Sequence, residues 1–569
     1  MNNKKSIVLL LTGLLLNSAI FAQTIDQGRK LLTFERYKSA KAVFEKLVAA
    51  NANDADANYW LGQVMIADED NKDIAGAKAI YQRAAMANSS SPLLLAGLGH
   101  IELLEGKVQD AKNRFETAIS LSQGKSAAVL NAIGIANIDA KDGDAQYAVE
   151  KLTAATSLKK MVDPDVYINL GNAYKKLGDG GSAQKSYEAA LVLNPSYAPA
   201  SYRIGKIYQT QGANQEEIYM KYFNDAIAKD ATFGPVYENL YVLFYKTNVT
   251  KSSEYLDKYL ANSDEGPKNC YLVASMKFAR GLFAETITKA DECIAAGGNN
   301  PYPNLFGLKA YAANKLNDSV GAKAYFETYF QKQTSTKIGP GDYETYSNVL
   351  LKFPGNESLA AGYIDQAVTA DTTEKGKVVL LKKMAMYFES QKKYVDAAIW
   401  HNKIISVKKE PKNTDYYNAG YNYYRSGDYQ TAVNVFDTYS QKFPEDIYSF
   451  YWKAKASWAI DTSLALGLAN PSFEKTIELG IKDTIKYKNQ LLASYKYFIV
   501  YNAVFKKDKV TALSFCDKVL AIDSTDAETI GNKEILSSNN KPVKPAKATA
   551  TPNAKEKITD TKKTVPKKK

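Results

Sequence analysis

Few side chains in this chain have the chemistry that catalysis or metal binding needs. The 569 residues include two His, three Cys and four Trp. A site with three His ligands is therefore impossible, and imidazole catalysis would depend on His100 or His401. The cysteines, Cys270, Cys293 and Cys516, lack the spacing typical of a zinc site. No nucleophile, general base and orienting acid can be assembled, so we predict no enzyme and no resident metal or cofactor.

One acidic run begins like a calcium-binding loop. Asp54, Asp56 and Asn58 have the spacing of the first oxygen ligands. Tyr59 stands where that loop needs Gly, and Met65 stands where the bidentate Glu belongs. We therefore interpret the run as a helix cap, because Asp and Asn accept hydrogen bonds from the free amides of a helix start.

The first 22 residues have the layout of a secretory signal peptide. Lys4 and Lys5 precede an apolar run from Ile7 to Leu16, and small residues follow up to Ala22. The apolar run is about half of the ~20 residues that a spanning helix requires. We predict cleavage after Ala22 and export, with a retained membrane anchor as the alternative. The predicted location is the periplasm, with outer-membrane association or secretion also open.

The positive charge of the chain is concentrated at its two ends. The net charge is +12, of which the first 22 residues contribute +2 and the 29 residues from Lys541 contribute +8. The body between them is nearly neutral. The Lys-, Pro-, Ala- and Thr-rich end cannot bury enough apolar surface to fold, so we expect it to be disordered. Its lysines could bind anionic cell-wall or lipid groups; nucleic acid is not an expected partner of an exported chain.

A repeated spacing organises most of the remaining sequence. The best two copies keep the same eight intervals between nine residues. The first copy consists of Tyr167, Leu170, Gly171, Tyr174, Gly178, Ala183, Tyr187, Ala190 and Pro195. The second copy consists of Tyr416, Ala419, Gly420, Tyr423, Gly427, Ala432, Phe436, Tyr439 and Pro444. Chance is a poor explanation for this agreement.

Each copy predicts two helices joined by a turn. Apolar groups at i, i+3, i+4 and i+7 line one helix face, a turn at Gly178 interrupts the pattern, and the second half resumes it. Small residues such as Gly171 and Ala183 let the two backbones approach closely. Pro195 ends the second helix. The chain is thus expected to be a series of helical hairpins.

This spacing resembles the tetratricopeptide repeat, a helix-turn-helix unit of 34 residues. Weaker copies extend the resemblance over about residues 23–530. The resemblance implies an all-α, right-handed superhelical solenoid of roughly 12–13 hairpins, in one array or two. We expect a signal peptide at 1–22, arrays at 23–330 and 342–535, and a disordered basic tail at 536–569.

Three segments interrupt the repeat pattern: Gln331 to Asp342, an expected inserted loop from Asp461 to Pro471, and the chain beyond Ser537. The stretch from Gln331 to Asp342 is the expected joint between the two arrays. The repeat register stays open near 340–370 and 455–500, where the match is poor. Cys270 and Cys293 fall on the two helices of one expected hairpin; buried free thiols are the default interpretation, and a disulfide between them is the alternative.

In a solenoid of hairpins, the first helices line a curved groove. The resemblance implies that fixed repeat positions line this groove. The predicted groove residues are Asn131, Asn169, Asn172, Lys175, Tyr202, Arg203 and Lys206, together with His100 on an earlier first helix. Converging amides and cations resemble, in part, the clamp with which some family members hold the terminal carboxylate of a peptide. A merely solvated surface is the alternative, and His401 is expected to be a packed core residue.

The function that these patterns favour is binding rather than catalysis. The main hypothesis is an exported, non-enzymatic protein-interaction scaffold within a bacterial envelope assembly, which binds partner peptides or proteins along its groove. One alternative is an envelope tether whose basic tail binds anionic wall or lipid groups. Another is an accessory domain of an enzyme complex. Repeats of this kind serve unrelated systems, so the sequence does not name the partner.

Overall fold

The computed structural model of the chain describes residues 24–69, 71–159 and 161–538. Within these residues the chain forms 29 α-helices, two short 3-10 helices and one π-helical segment, without a β-strand. None of these helices combines the length and apolar character needed to cross a bilayer. The predicted signal peptide lies outside the described residues, as does the predicted tail from residue 539 onward, whereas Leu536 and Ser537 belong to the last helix.

The helices follow one another in a regular order, and their bounds are these. They are α1 (Ile25–Thr33), α2 (Tyr37–Ala50), α3 (Ala55–Ala67), α4 (Ile74–Ala87), α5 (Pro92–Leu104), α6 (Val108–Leu121), α7 (Ala127–Asp139), α8 (Ala145–Thr156), α9 (Pro164–Lys176), α10 (Gly180–Leu193), α11 (Ala198–Thr210), α12 (Glu216–Lys229), α13 (Gly234–Phe244), α14 (Val249–Ala261), α15 (Pro267–Ala279), α16 (Phe283–Ala296), α17 (Asn304–Lys315), α18 (Ser319–Lys332), α19 (Pro340–Leu350), α20 (Glu357–Ala370), α21 (Glu374–Ser390), α22 (Tyr394–Val407), α23 (Asn413–Ser426), α24 (Tyr429–Lys442), α25 (Ile447–Ile460), α26 (Asn470–Gly480), α27 (Lys488–Val500), α28 (Lys509–Ile522) and α29 (Ala527–Ser537). The 3-10 helices are Ala213–Gln215 and Ser335–Lys337, and the π-helical segment is Tyr501–Lys506.

Consecutive helices pack as antiparallel pairs, which confirms the predicted all-α hairpin architecture. Helices α1 to α28 form fourteen hairpins in the described residues, and α29 packs on α28. The sequence pattern alone indicated roughly 12–13 units. The difference arises because the stretches that match the repeat poorly still form complete helices, among them α19, α20, α26 and α27.

The small and aromatic repeat positions build the contact inside each hairpin. A Cβ added at Gly171 would overlap the Tyr187 ring, and a Cβ at Gly420 would lie 2.7 Å from Cε1 of Phe436. Both rings are at most 1% exposed. The glycine thus leaves room for the ring of the second helix, and this is why the repeat needs a small residue opposite a large one.

Turns and caps also follow the sequence pattern. Gly178 and Gly427 have φ of 81° and 88°, the left-handed region that glycine adopts without steric cost. Asp54 accepts a hydrogen bond of 3.0 Å from the Ala57 amide at the start of α3. The acidic run before α3 therefore contains a helix cap, as predicted.

The described residues cluster into two compact units, which divide between Tyr329 and Phe330. Unit 1 denotes residues 24–329 of the described chain, and unit 2 denotes residues 330–538. The expected joint from Gln331 to Asp342 lies directly after this division. The predicted arrays at 23–330 and 342–535 stay a prediction, because the division into units does not test whether each folds independently.

A disulfide joins the two helices of the eighth hairpin. Cys270 on α15 and Cys293 on α16 are bonded, with 5.7 Å between their Cα atoms. The default expectation of free thiols was therefore wrong for this pair, because α15 and α16 pack with the two side chains facing each other. Cys516 on α28 is free and buried.

Candidate functional site

The predicted groove residues lie on consecutive odd-numbered helices of unit 1. They are His100 on α5, Asn131 on α7, Asn169, Asn172 and Lys175 on α9, and Tyr202, Arg203 and Lys206 on α11. The structure thus brings most of them onto one inner surface, but it assigns them three different roles.

The asparagines connect the hairpins to one another. Asn169 donates a hydrogen bond of 2.9 Å from Nδ2 to Oδ1 of Asn131. The Tyr187 hydroxyl donates to Oδ1 of Asn172 at 2.9 Å, and Nδ2 of Asn172 lies 3.5 Å from Oδ1 of Asn169. Asn131 is 3% exposed. These amides largely satisfy each other, so they brace the groove wall more than they present donors to a ligand.

Three cations lie beside the asparagines, and we call Lys175, Arg203 and Lys206 the groove cation cluster. Burial lowers the pKa of Lys206, and the charge of Lys175 lowers it further. Burial and the charge of Arg203 likewise lower the pKa of Lys175. Among the described residues, none of the three forms an ion pair. The cluster therefore has no carboxylate within ion-pair distance among the described residues, although the charge of Arg203 acts on Glu35.

Two polar atoms in the wall around this cluster lack a hydrogen-bonding partner among the described residues. They are Oε1 of Gln209 on α11 and Nδ2 of Asn239 on α13, both buried. Oδ1 of Asn239 accepts a bond of 2.7 Å from Nζ of Lys206. An unpartnered acceptor and an unpartnered donor next to cations suit a ligand that carries amides as well as a negative charge.

Sequence reasoning did not single out Gln209 and Asn239. Gln209 holds the twelfth position of the repeat that begins at Ala198, and Asn239 holds the sixth position of the next repeat. Both are groove positions in the same register that identified Lys175 and Arg203. The repeat register could therefore have found both residues. Extending it to the twelfth position gives Gln209, and extending it to the next repeat gives Asn239.

Tyr202 and His100 belong to the packing instead. The Tyr202 ring lies 5.9 Å from the Phe223 ring and 5.5 Å from the Phe233 ring. His100 is 1% exposed, with Nε2 at 3.0 Å from Oδ2 of Asp139 and Nδ1 at 3.3 Å from Nε2 of Gln63. His100 thus links three inner helices and offers no surface to a partner, contrary to the expectation that it faces the groove.

The charge of Asp139 agrees with this bracing role. Burial alone would raise the pKa of Asp139, but the hydrogen bond with His100 and the positive charge of Lys72 hold it below its usual value. In unit 2, His401 is 7% exposed and its Nε2 lies 2.9 Å from Oε1 of Glu389. His401 is therefore a buried, hydrogen-bonded residue, as predicted.

The first hairpin also reaches this inner surface. Arg29 on α1 places Nη2 at 2.6 Å from Oδ2 of Asp163 and 2.8 Å from Oδ2 of Asp165, at the start of α9. Glu35, in the turn after α1, has a φ of 58° and remains exposed to solvent. Nothing in the repeat spacing indicated these contacts, because they join residues more than a hundred positions apart.

The inner surface of unit 2 has a different chemistry. We call Tyr417, Tyr421, Tyr424 and Trp452 the aromatic wall. The Trp452 ring lies 4.7 Å from the Tyr421 ring and 5.1 Å from the Tyr424 ring, in edge-to-face geometry. Two cations approach the wall: Nζ of Lys455 lies 5.2 Å from the Trp452 ring centroid, and the guanidinium of Arg425 lies 5.7 Å from the Tyr421 ring centroid. The wall consists of aromatic rings that pack on one another, whereas the cation cluster consists of charged side chains.

The order and pairwise packing of the helices define an all-α array of helical hairpins. Models of the tetratricopeptide repeat match residues 25–92 and residues 164–197. The chain contains tetratricopeptide repeats in these residues, and repeats of this family mediate protein–protein interactions. The family is typically non-enzymatic.

Several solved structures are similar to parts of the chain. The C-terminal part of a TPR repeat-containing protein from Cytophaga hutchinsonii is 28% identical, with a TM-score of 0.29, over 46% of this chain and 98% of that one. A tetratricopeptide repeat protein from Parabacteroides merdae is 18% identical, with a TM-score of 0.31, over 51% of this chain and 98% of that one. Yeast Tom70 is 14% identical, with a TM-score of 0.37, over 74% of this chain and 98% of that one. A search of the curated proteins finds no match.

Proposed function

We propose that this chain is an exported, non-enzymatic scaffold that binds segments of partner proteins in the groove of unit 1, as part of a bacterial envelope assembly. The groove cation cluster holds an anionic group of the partner, such as a terminal carboxylate. The observation that carries the proposal is the position of Lys175, Arg203 and Lys206 close together without an ion pair. Placing like charges together costs free energy, and a bound anion removes that cost.

The surrounding polar atoms support a polypeptide as the ligand. The unpartnered acceptor of Gln209 suits a peptide N–H, and the unpartnered donor of Asn239 suits a peptide carbonyl. A small inorganic anion would satisfy the cations and the donor but would leave the Gln209 acceptor without a hydrogen bond. Binding of a peptide therefore accounts for more of the site than binding of an anion alone.

The disulfide supports the exported location. Disulfides persist in oxidising compartments and are rare in the cytosol. The bond between Cys270 and Cys293 therefore suits a chain that carries the predicted signal segment. The alternative function, in which the basic tail tethers the protein to anionic wall or lipid groups, concerns residues outside the described range and stays a prediction.

The test uses the full mature chain and a random peptide library made in two forms, one with free and one with amidated C-termini. We expect the chain to retain the free-acid library preferentially. Arg203→Ala and Lys206→Ala should each weaken that retention by about tenfold or more, because a hydrogen bond to a charged group contributes about 1.5–3 kcal/mol.

Lys185→Ala is the matched control, since Lys185 is an exposed lysine on the second helix α10 of the same region. It should retain the library like the unmodified chain, and all variants should keep the same helical circular dichroism. Equal retention of the free-acid and amidated libraries would refute carboxylate binding at this site. Unchanged retention by both cluster variants would move the binding surface elsewhere.

A further inference from the structure

The first hairpin, α1 and α2, makes contacts that a solenoid does not require. In stacked repeats each hairpin contacts its neighbours in the chain. Here Lys30 Nζ lies 2.8 Å from Oδ2 of Asp230, and Arg36 Nε lies 3.3 Å from Oδ1 of Asp264. Together with the contacts of Arg29, these ion pairs join the first hairpin to the start of α9 and to the turns that precede α13 and α15. The first hairpin therefore contacts residues as far along the chain as the turn between the seventh and eighth hairpins.

The charges in these ion pairs are arranged in the same way in every case. The basic residues belong to the first hairpin, and the acidic residues belong to the later ones. Asp264 also accepts hydrogen bonds from the Ser39 amide at 2.9 Å and from the Ser39 hydroxyl at 2.5 Å. Lys38 donates to the Glu265 carbonyl at 2.8 Å. Attraction between opposite charges at a partly exposed contact weakens as salt is added.

One aromatic contact completes the docking. Phe34, which follows α1, is 7% exposed, and its ring lies 5.0 Å from the Phe233 ring in edge-to-face geometry. Phe233 also contacts Tyr202, which precedes Arg203 on α11. The turn of the first hairpin is thus seated on the same wall that carries the groove cation cluster.

Glu35 occupies the tip of that turn. The surrounding protein partly removes the Glu35 carboxyl from water and so raises its pKa, and the negative charge of Glu238 raises it further. The positive charges of Lys268 and Arg203 lower this pKa. The Glu35 carboxylate therefore lies within electrostatic reach of Arg203, although it keeps contact with solvent. It offers to Arg203 the same chemical group that the proposed function assigns to a partner.

The contact between the first hairpin and the later hairpins also has unfavourable features. Nε of Arg29 is buried without a hydrogen-bonding partner among the described residues, and Glu35 lies near the like charge of Glu238. A cavity of about 380 Å³ lies between α1 and the later hairpins, lined in part by Asp163 and Tyr197. Unpaired groups and incomplete packing lower the cost of undocking.

We propose that the first hairpin is a clasp over the groove of unit 1, which an acidic segment of a partner protein displaces when it binds the groove cation cluster. The identity of this competitor rests on the proposed function. The docking of the clasp itself rests on the ion pairs and the Phe34 contact alone. Two experiments keep these parts separate.

The first experiment needs no partner. Hydrogen exchange of the full chain is measured at low salt and in 1 M NaCl, for the unmodified chain and for Arg29→Ala. We expect amides of α1 and α2 to exchange about tenfold faster or more in the variant, and faster in high salt, because Arg29 pairs with two carboxylates. Amides of α5 and α6 should not change.

Lys41→Ala is the matched control, since among the described residues Lys41 pairs only with Glu45 of its own helix, at 3.9 Å. It removes a cation from the same hairpin without touching the later repeats, so exchange of α1 should stay at the level of the unmodified chain. Equal exchange in Arg29→Ala and Lys41→Ala would overturn the clasp.

The second experiment locks the hairpin in place. Ser39→Cys with Asp264→Cys puts two thiols where the side chains now share a hydrogen bond. The oxidised variant should retain the free-acid library at least about tenfold less than its reduced form, whereas the same reductant should not alter retention by the unmodified chain. When the unmodified chain distinguishes the two libraries, equal retention by the oxidised and reduced variant overturns the clasp.

Two further outcomes of these experiments are informative. A covalent dimer on oxidation would show that the hairpin docks on a second copy of the chain, and it would overturn closure within one chain. If the unmodified chain fails to distinguish the two libraries, the proposed function fails, and the exchange measurement still decides whether the clasp exists.

Discussion

Unit 1 and unit 2 carry different side chains at the same positions of the repeat. Asn172 and Lys175 on α9 correspond to Tyr421 and Tyr424 on α23, because Tyr167 and Tyr416 begin matching copies. In the next repeat of each unit, Arg203 corresponds to Trp452. One inner surface is therefore cationic and rich in amides, and the other is aromatic.

The packing positions do not show this divergence. Gly171 faces Tyr187 in unit 1, as Gly420 faces Phe436 in unit 2. Residues between the helices of a hairpin must fit a fixed separation, so only small-to-large pairs succeed there. Groove positions face outward and are free of that requirement. The comparison teaches that the repeat determines where a binding surface lies, and that a few outward positions determine its chemistry.

The largest expected effect tests whether the two units are independent. Phe436→Ala removes a ring that is fully buried in unit 2 and should lower the free energy of unfolding of that unit by about 3–5 kcal/mol. Unit 1 should keep its stability, because stacked repeats depend on their near neighbours. Hydrogen exchange resolved along the chain during urea unfolding measures both units.

The matched variant is Tyr187→Ala, which removes the corresponding ring of unit 1. It should produce the reverse result, with unit 1 weakened and unit 2 unchanged. If either substitution weakens both units equally, the chain unfolds as one cooperative array, and the comparison of two separate units fails.

A smaller effect concerns the disulfide, which only unit 1 possesses. Reduction of the bond between Cys270 and Cys293 should lower the free energy of unfolding of unit 1 by about 2–4 kcal/mol, because the open chain gains conformational freedom when unfolded. Urea unfolding with and without reductant measures the change. The double variant Cys270→Ser, Cys293→Ser should no longer respond to reductant. A response that appears in unit 2 instead would contradict the assignment.

The smallest effect sharpens the contrast between the two grooves, and its sign differs between them. Tyr424→Met should destabilise unit 2 by about 0.5–1.5 kcal/mol through loss of its contact with Trp452. Lys175→Met should stabilise unit 1 slightly, by about 0.3 kcal/mol at low salt. The effect is this small because solvent screens the charge of an exposed lysine.

The sign for Lys175 follows from its pKa. The pKa of Lys175 is lower in the folded protein than in the unfolded chain, so folding disfavours the charged form. That cost is present at neutral pH and disappears only as the pH rises past the value of the unfolded chain. Urea unfolding at low and high salt measures the two variants. Destabilisation by Lys175→Met would show that its charge is favourably paired.

The sequence predicted the hairpins well and the state of the groove side chains poorly. Spacing located Gly171, Tyr187 and the cluster residue Lys206, since helix periodicity places them on defined faces. It did not show that Asn131 and Asn169 bond to each other, or that His100 is buried against Asp139. Those outcomes depend on how adjacent hairpins are rotated, and small rotations are not visible in residue spacing.

The sequence by itself determined that the chain forms helical hairpins and which positions line their inner surface, because these features depend on residues a few positions apart. Tertiary structure decided which polar groups remain without partners and that Cys270 pairs with Cys293. It also decided that Arg29 reaches Asp163. The physical reason is that each hairpin adds a small rotation to the last, and only their sum over several repeats brings the first hairpin back onto the later ones.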